Sequence, residues 1–339
     1  MSNVNSDQKP LTNSTPSSNV DRRTFLKRSA VSLAAGAVVL SGAHKISKVY
    51  ADSSNEVAVV LDITKCIGCE ICLKACRGKN SAVYPEPQED IMPYWPQKSY
   101  EDWSDQRDRT DRLTPYNWLY IQKLQLQHDG KNVELNIPRR CMHCDNPPCA
   151  NLCPFGIIER TEEGAVNINH DFCFGGAKCR DVCPWSIPQR QAGVGLYLKV
   201  APKYAGGGVM YKCDLCQDRL QKGEAPACVA ACPEGTMTFG PRTEMLQFAR
   251  QRAAEMNGYL YGAEENEGTA TFYISPVPFD VIDEAISKNL GEGHTPMEPG
   301  IENPLTASSK FAILSFLIAP IAALGSAAAL MTRKMKGDE

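Results

Sequence analysis

Residues 66–76 read Cys66-Ile67-Gly68-Cys69-Glu70-Ile71-Cys72-Leu73-Lys74-Ala75-Cys76, a C-x2-C-x2-C-x3-C run. Three thiolates spaced two residues apart on a tight loop can wrap one face of an iron–sulfur cube. The fourth cysteine opens the next helix and faces away, toward a neighbouring cluster. Thiolates are soft ligands suited to such cores. Three further groups follow. Cys141-x2-Cys144-x4-Cys149-x3-Cys153 is followed by Pro154, Cys173-x5-Cys179-x3-Cys183 by Pro184, and Cys213-x2-Cys216-x11-Cys228-x3-Cys232 by Pro233. Proline after the last cysteine fixes the backbone there. All 15 cysteines of the chain fall in these four groups, so none is left for another task.

Rival readings of the cysteines fail on spacing. An odd count leaves one thiol unpaired in any disulfide framework. The x2-x2-x3-Pro run is not a zinc-finger spacing. C-type haem needs C-x-x-C-H, whereas Glu70, Asp145 and Gln217 follow the C-x-x-C pairs. The third group breaks the pattern: its register calls for ligands at 176, 179 and 183, and position 176 is Gly176. The site is then a 3Fe–4S centre or a 4Fe–4S centre with a labile corner, unless His170, Asp171 or Asp181 supplies the missing ligand.

The chain has 339 residues, a soft expectation of about two domains. Hydrophobic residues at 43% and charged ones at 22% are those of a globular protein, not of a disordered chain. The net charge of −3 lacks the basic excess of a nucleic-acid binder, so no nucleic-acid partner is expected. A mean hydropathy of −0.31 excludes a polytopic membrane protein and permits one or two apolar segments. Residues 1–20 are polar and without periodicity. Asp21-Arg22-Arg23-Thr24-Phe25-Leu26-Lys27 and the uncharged stretch from Ser29 to Ala43 read as a twin-arginine signal. Cleavage before Asp52 is expected, retention as an N-terminal anchor being the alternative. Phe311 to Thr332 carries no charge, and as a helix it would span roughly 33 Å against a hydrocarbon core of about 30 Å. Arg333, Lys334 and Lys336 follow it and would stay cytoplasmic, which leaves the body on the periplasmic face of the membrane.

Within the body, Val57–Leu61 and Val166–Ile168 read as strands. The insert between Cys76 and Cys141 holds Trp95, Trp103 and Trp118 with Tyr94, Tyr100, Tyr116 and Tyr120. A small local core is expected from these rings, ahead of a docking surface. Ala205–Gly208 lacks the Gly-Lys-Ser/Thr of a phosphate loop and reads as a flexible turn. Glu244–Asn257 has Met245, Leu246, Phe248, Ala249 and Ala253 at helical spacing, with Thr243 as the expected cap. Lys65, Arg139, Arg140, Lys178, Arg180 and Lys212 lie near cluster cysteines, either to offset anionic clusters or as solvated surface.

On these motifs, residues 57–240 resemble the four-cluster, dual-ferredoxin subunits of respiratory oxidoreductases. The twin-arginine signal, the C-terminal apolar run, and the segments Leu260-Tyr261-Gly262, Gly268-Thr269 and Val277-Pro278-Phe279 look most like the HybA-type subunit of membrane-bound nickel–iron hydrogenase. The formate dehydrogenase beta subunit comes next. The resemblance implies an α+β fold of two pseudo-twofold bacterial-ferredoxin-like modules with an insert, plus one C-terminal transmembrane helix. The divisions expected are a leader at 1–51, a cluster module at 52–240 with its insert at 77–140, an extension at 241–310, the span at 311–332 and a tail at 333–339. It implies three 4Fe–4S clusters, held by Cys66, Cys69, Cys72 and Cys232, by Cys76, Cys213, Cys216 and Cys228, and by Cys141, Cys144, Cys149 and Cys183. Cys153, Cys173 and Cys179 are left for a 3Fe–4S cluster. Iron is thus the only metal implied, through the same cysteines. The expected partners are a catalytic oxidoreductase subunit and an integral quinone- or haem-binding subunit, and the function is single-electron transfer in anaerobic respiration, without catalysis by this chain. Gly176 departs from the HybA-type pattern, while nitrate reductase beta subunits lack the same cysteine. A molybdopterin oxidoreductase partner is the alternative, and a structural membrane anchor the remote one.

Overall fold

A computed structural model of the chain describes residues 55–88, 91, 93, 101–200, 208–289 and 294–306. The twin-arginine segment, the apolar run at 311–332, Tyr94, Trp95, Tyr100 and residues 205–207 lie outside the described residues. Among the described residues, no helix is long and apolar enough to cross a membrane.

Strand β1 (Val57–Asp62) is the apolar run ahead of the first cysteine group, and every residue after Val57 is buried. Helix α1 (Ile71–Asn80) carries Cys72 and Cys76. The insert then contributes β2 (Tyr120–His128) and β3 (Lys131–Arg139), paired antiparallel from Tyr120↔Arg139 to His128↔Lys131. Asp129 and Gly130 turn this hairpin at φ +50° and +73°, the two left-handed residues that a two-residue hairpin loop requires. Short elements surround the middle groups: α2 (Pro148–Leu152), β4 (Ile158–Arg160), β5 (Val166–Ile168), α3 (Lys178–Asp181), β6 (Gln189–Gln191), α4 (Leu196–Val200) and β7 (Val209–Tyr211). Strands β4 and β5 form one hairpin and β6 and β7 another. Helices α5 (Gln217–Leu220) and α6 (Ala227–Ala230) serve the last group.

The described part of the extension contributes two strands to the main sheet. Strand β8 (Met237–Pro241) leads into α7 (Arg242–Glu255), β9 (Tyr259–Tyr261), β10 (Thr271–Ser275) and α8 (Phe279–Asn289). The sheet order is β8-β1-β10-β9, with β10 parallel to β1 and β8 antiparallel to it. Side chains alternate across a strand, so each face of β1 has its own cover. Ala58 and Val60, with Phe272 and Ile274, pack against Ala249 and Ala253 of α7. Val59 and Leu61, with Tyr261 and Tyr273, face the core that holds the cysteines.

Three local expectations are corrected here. The helix starts two residues earlier than expected: Pro241, not Thr243, stands before α7, and it provides no side-chain cap. Phe248 is also not part of the buried stripe. The sheet meets Ala249 and Ala253, one turn apart, and this rotation leaves Phe248 exposed. The insert's rings Tyr116, Trp118 and Tyr120 are buried, but Trp118 and Tyr120 join the main core that holds the cysteines and not a separate local one, with Trp118 6.1 Å from Tyr84 and 6.4 Å from Tyr211. Trp103 sits at its edge, where its backbone N–H donates to Gln191.

Candidate iron–sulfur sites

Each cysteine group begins with the same backbone device. The residue two after the first cysteine has a left-handed conformation in all four: Gly68 (φ +70°), His143 (+50°), Gly175 (+64°) and Leu215 (+58°). This curl turns backbone N–H groups inward, the arrangement that cradles anionic groups. Gly175 N–H donates to Cys173 Sγ at 3.4 Å, Leu215 N–H to Cys213 Sγ at 3.4 Å, and Gly68 N–H to Cys66. Two of the four positions are not glycine, which sequence spacing alone did not disclose.

The cysteines gather in sets drawn from different groups. Cys66, Cys69, Cys72 and Cys232 line one cavity. Cys153, Cys173 and Cys179 line another, together with Gly176 and the apolar Phe155, Phe174, Ile157, Ile158, Ile168 and Met210. Burial raises the Cys76 thiol well above its ordinary pKa, with Cys213, Cys228 and Cys216 adding to it. Burial does the same at Cys144, with Cys183, Cys141 and Cys149 adding. The sets also touch in sequence. Burial pushes Cys72 up to about 12 with Cys228 as its strongest neighbour, and Cys179 up to about 12 with Cys149 as its own. Cys213, likewise about 12 through burial, also feels Cys141. The order along the molecule is therefore the Cys66 set, the Cys76 set, the Cys141 set and the Cys153 set. Cys69 is exposed at one end.

The 4Fe-4S dicluster domain family matches residues 65–157 and, through a second member of the same description, residues 133–242. The chain is 30% identical over 240 residues to the iron–sulfur subunit of the nitrate-inducible formate dehydrogenase of Escherichia coli (strain K12), covering 66% of this chain and 69% of that one. The chain belongs to this iron–sulfur family. It is an iron–sulfur electron-transfer subunit. It is also 25% identical over 355 aligned positions to the hydrogenase-2 operon protein HybA of Escherichia coli O157:H7, covering 94% of this chain and 97% of the relative.

The donor chemistry fits the family's multiple 4Fe–4S clusters. Thiols whose burial and mutual repulsion oppose ionisation become thiolates when a cationic iron core supplies the opposite charge. Among the described residues, no three His, Cys, Asp or Glu side chains come close enough to hold a single metal ion. The Cys66 and Cys153 sets surround cavities instead, as a multi-iron core requires. Cys232 is shifted the other way: burial opposes its thiolate, but the Thr236 hydroxyl and the amides of Thr236, Met237 and Glu234 bring it below its ordinary value.

The candidates for a replacement ligand beside Gly176 do not line its cavity. Asp181 is at the surface, paired with Lys178 at 3.0 Å. His170 packs tilted against Tyr211 with ring centroids 4.6 Å apart, and burial lowers its pKa to about 4. Of the six cations, Lys65 and Lys178 are exposed. Arg139 is buried and donates to Gln122 and to the Pro296 carbonyl. Arg180 makes a two-pronged pair with Glu101 at 2.6 and 2.7 Å. Glu101 also pairs with Arg190, which donates to the Gly175 carbonyl at 2.7 Å. The insert is thus latched onto the Cys173 loop, a contact that only folding brings together. Arg140 and Lys212 are both buried.

Proposed function

We propose that the four cysteine sets hold three 4Fe–4S clusters and one 3Fe–4S cluster, and that this chain carries single electrons without catalysing a reaction itself. The ligand sets are Cys66, Cys69, Cys72 and Cys232; Cys76, Cys213, Cys216 and Cys228; Cys141, Cys144, Cys149 and Cys183; and Cys153, Cys173 and Cys179 for the three-iron centre. The observation that carries this reading is the linear succession of the sets from an exposed Cys69 to a cavity whose apolar lining is exposed at Phe155. Clusters supply one-electron redox chemistry when bound. The chain's own residues supply thiolates, inward N–H groups and a dry interior. Iron and sulfide analysis should give about fifteen irons per chain. Near-zero iron in anaerobically purified protein would favour a structural anchor instead.

The partner follows from the longer similarity. The HybA-like match extends over 94% of the chain, beyond the cluster module. This supports a nickel–iron hydrogenase catalytic subunit on one side and an integral quinone-reactive subunit on the other. The higher identity to a formate dehydrogenase subunit over a shorter stretch favours a molybdopterin partner as the second reading. Nickel in the complex co-purified with a tagged chain supports the first, and molybdenum the second. The twin-arginine segment and the apolar run at 311–332 support assembly on the periplasmic face of the membrane. Arg22→Lys with Arg23→Lys should retain the protein in the cytoplasm with its clusters intact. Truncation after Lys310 should release the cluster module from membranes without loss of iron.

A further inference from the structure

Arg140 and Lys212 are 1% and 4% exposed. Each stands immediately before the first cysteine of its own group and reaches across to the other group. Arg140 Nη1 points at Cys213 Sγ, 3.9 Å away, and Nη2 donates to Thr271 Oγ1 at 3.2 Å. The Thr271 hydroxyl donates in turn to the Cys141 carbonyl at 3.3 Å. Lys212 Nζ donates to the carbonyls of Val166 and Cys213, the latter at 3.1 Å, and lies in the field of Cys141, Cys149 and Cys213. Among the described residues, neither cation has a carboxylate as a hydrogen-bonded partner. Asp214 acts on Lys212 less strongly than the three cysteines do. The imidazole beside them adds no negative charge. His143 is fully buried, and its Nδ1 accepts from Val166 N–H at 2.9 Å, which keeps the ring neutral.

Two buried cations without acidic partners are strongly destabilising unless another anion faces them. The anions here are the thiolates of the two inner sets. Adding an electron to a site beside a fixed cation is favoured, so such a cation raises the site's reduction potential.

We propose that Arg140 and Lys212 are positioning residues for electron transfer, a crossed cationic bridge that raises the reduction potentials of the two inner clusters together. This rests on the ligand assignment above, which iron content and spectra of the unmodified protein test separately.

The experiment is a cluster-resolved, EPR-monitored redox titration of the full iron-loaded protein and four variants. In Lys212→Met and Arg140→Met, the reduced-to-oxidised ratio of the inner clusters at fixed poise should fall about tenfold, a shift of about 59 mV for a one-electron couple. The two outer clusters should move far less. Lys212→Arg and Arg140→Lys should stay close to the native values. Unchanged inner potentials in the methionine variants would overturn the proposal, as would an equal shift at all four clusters. If the methionine variants lose iron, the charge-preserving pair decides. Full iron at near-native potentials supports a role for charge, and loss of iron there as well shows that packing alone was at stake.

Discussion

The loops after Cys66 and Cys173 follow one backbone path. Both have a left-handed glycine at the third residue, Gly68 and Gly175, and a left-handed residue at the fifth, Glu70 and Ala177, just before the helix that carries the third cysteine position. Between those points stands Cys69 in one loop and Gly176 in the other. The curl of the loop and the number of its donors are therefore separable. Left-handed residues and inward N–H groups shape the cradle, and one side chain decides how many irons have a thiolate. The surroundings differ too. Gly68 faces a side chain, Asn136, whereas Gly175 faces the backbone of Gly208.

That last difference should produce the largest effect. A Cβ at 175 would stand 2.4 Å from the Gly208 carbonyl oxygen and 2.5 Å from its carbon, at a φ of +64°. Gly175→Ala should abolish the outer cluster of the Cys153 set, a loss of about three irons per chain, while the other signals persist. Gly68→Ala meets the Asn136 amide at 2.7 Å, a side chain that can swing aside. It should keep its cluster and lose on the order of 1–3 kcal/mol of stability to backbone strain. Iron content of the two purified variants makes the comparison, and equal losses would show that the neighbour's nature is irrelevant.

Exchanging the donors comes next. Gly176 has a negative φ and nothing within 4 Å of an added Cβ, so Gly176→Cys places a thiol without strain or clash. About one iron should be gained, with conversion of the three-iron signal to a 4Fe–4S signal. The reciprocal Cys69→Gly should lose about one iron at the other end. A three-iron signal that persists in Gly176→Cys would mean that the two loops are not equivalent.

The smallest effect is at the Glu101 latch on the Cys173 loop, whose counterpart on the Cys66 loop is the more exposed Lys123–Glu70 pair. Glu101→Gln removes the charge that holds Arg180 and Arg190 and should cost about 1–3 kcal/mol, read as a lowered denaturation midpoint at pH 7. Although burial alone would raise the Glu101 carboxyl, its hydrogen bonds and charges from Arg180 and Arg190 hold it below its ordinary pKa of 4.5. A depressed carboxyl contributes stability that is present above the unfolded value and is lost as pH falls through the folded one. The gap between native and Glu101→Gln should therefore narrow on acidification below about pH 4.5. A gap that stays constant would assign the latch's effect to shape.

Legibility in the chain followed the range of the interactions. The Val57–Asp62 strand, the Val166–Ile168 strand and the helix at 242–255 announced themselves through local period and β-branched content, because those signals lie within a few residues. The hairpin turn at Asp129-Gly130 was equally local and was open to the same reading. The position of β10 beside β1 was not legible, since a parallel pair needs a crossover and leaves no mark at either strand. Phe248 misled for a related reason: helical spacing names the apolar residues but not the direction from which a sheet will approach.

Covalent spacing determined the inventory of thiols, their division into four groups and the missing donor at Gly176, because a loop of three ligands is built from neighbours in the chain. The tertiary structure decided which cations face them. Arg140 meets Cys213 across 73 residues and Lys212 meets Val166 across 46, while Lys65 and Lys178, equally close to cysteines in sequence, end at the surface. A charge acts through distance and burial in three dimensions. Adjacency along the chain specifies neither.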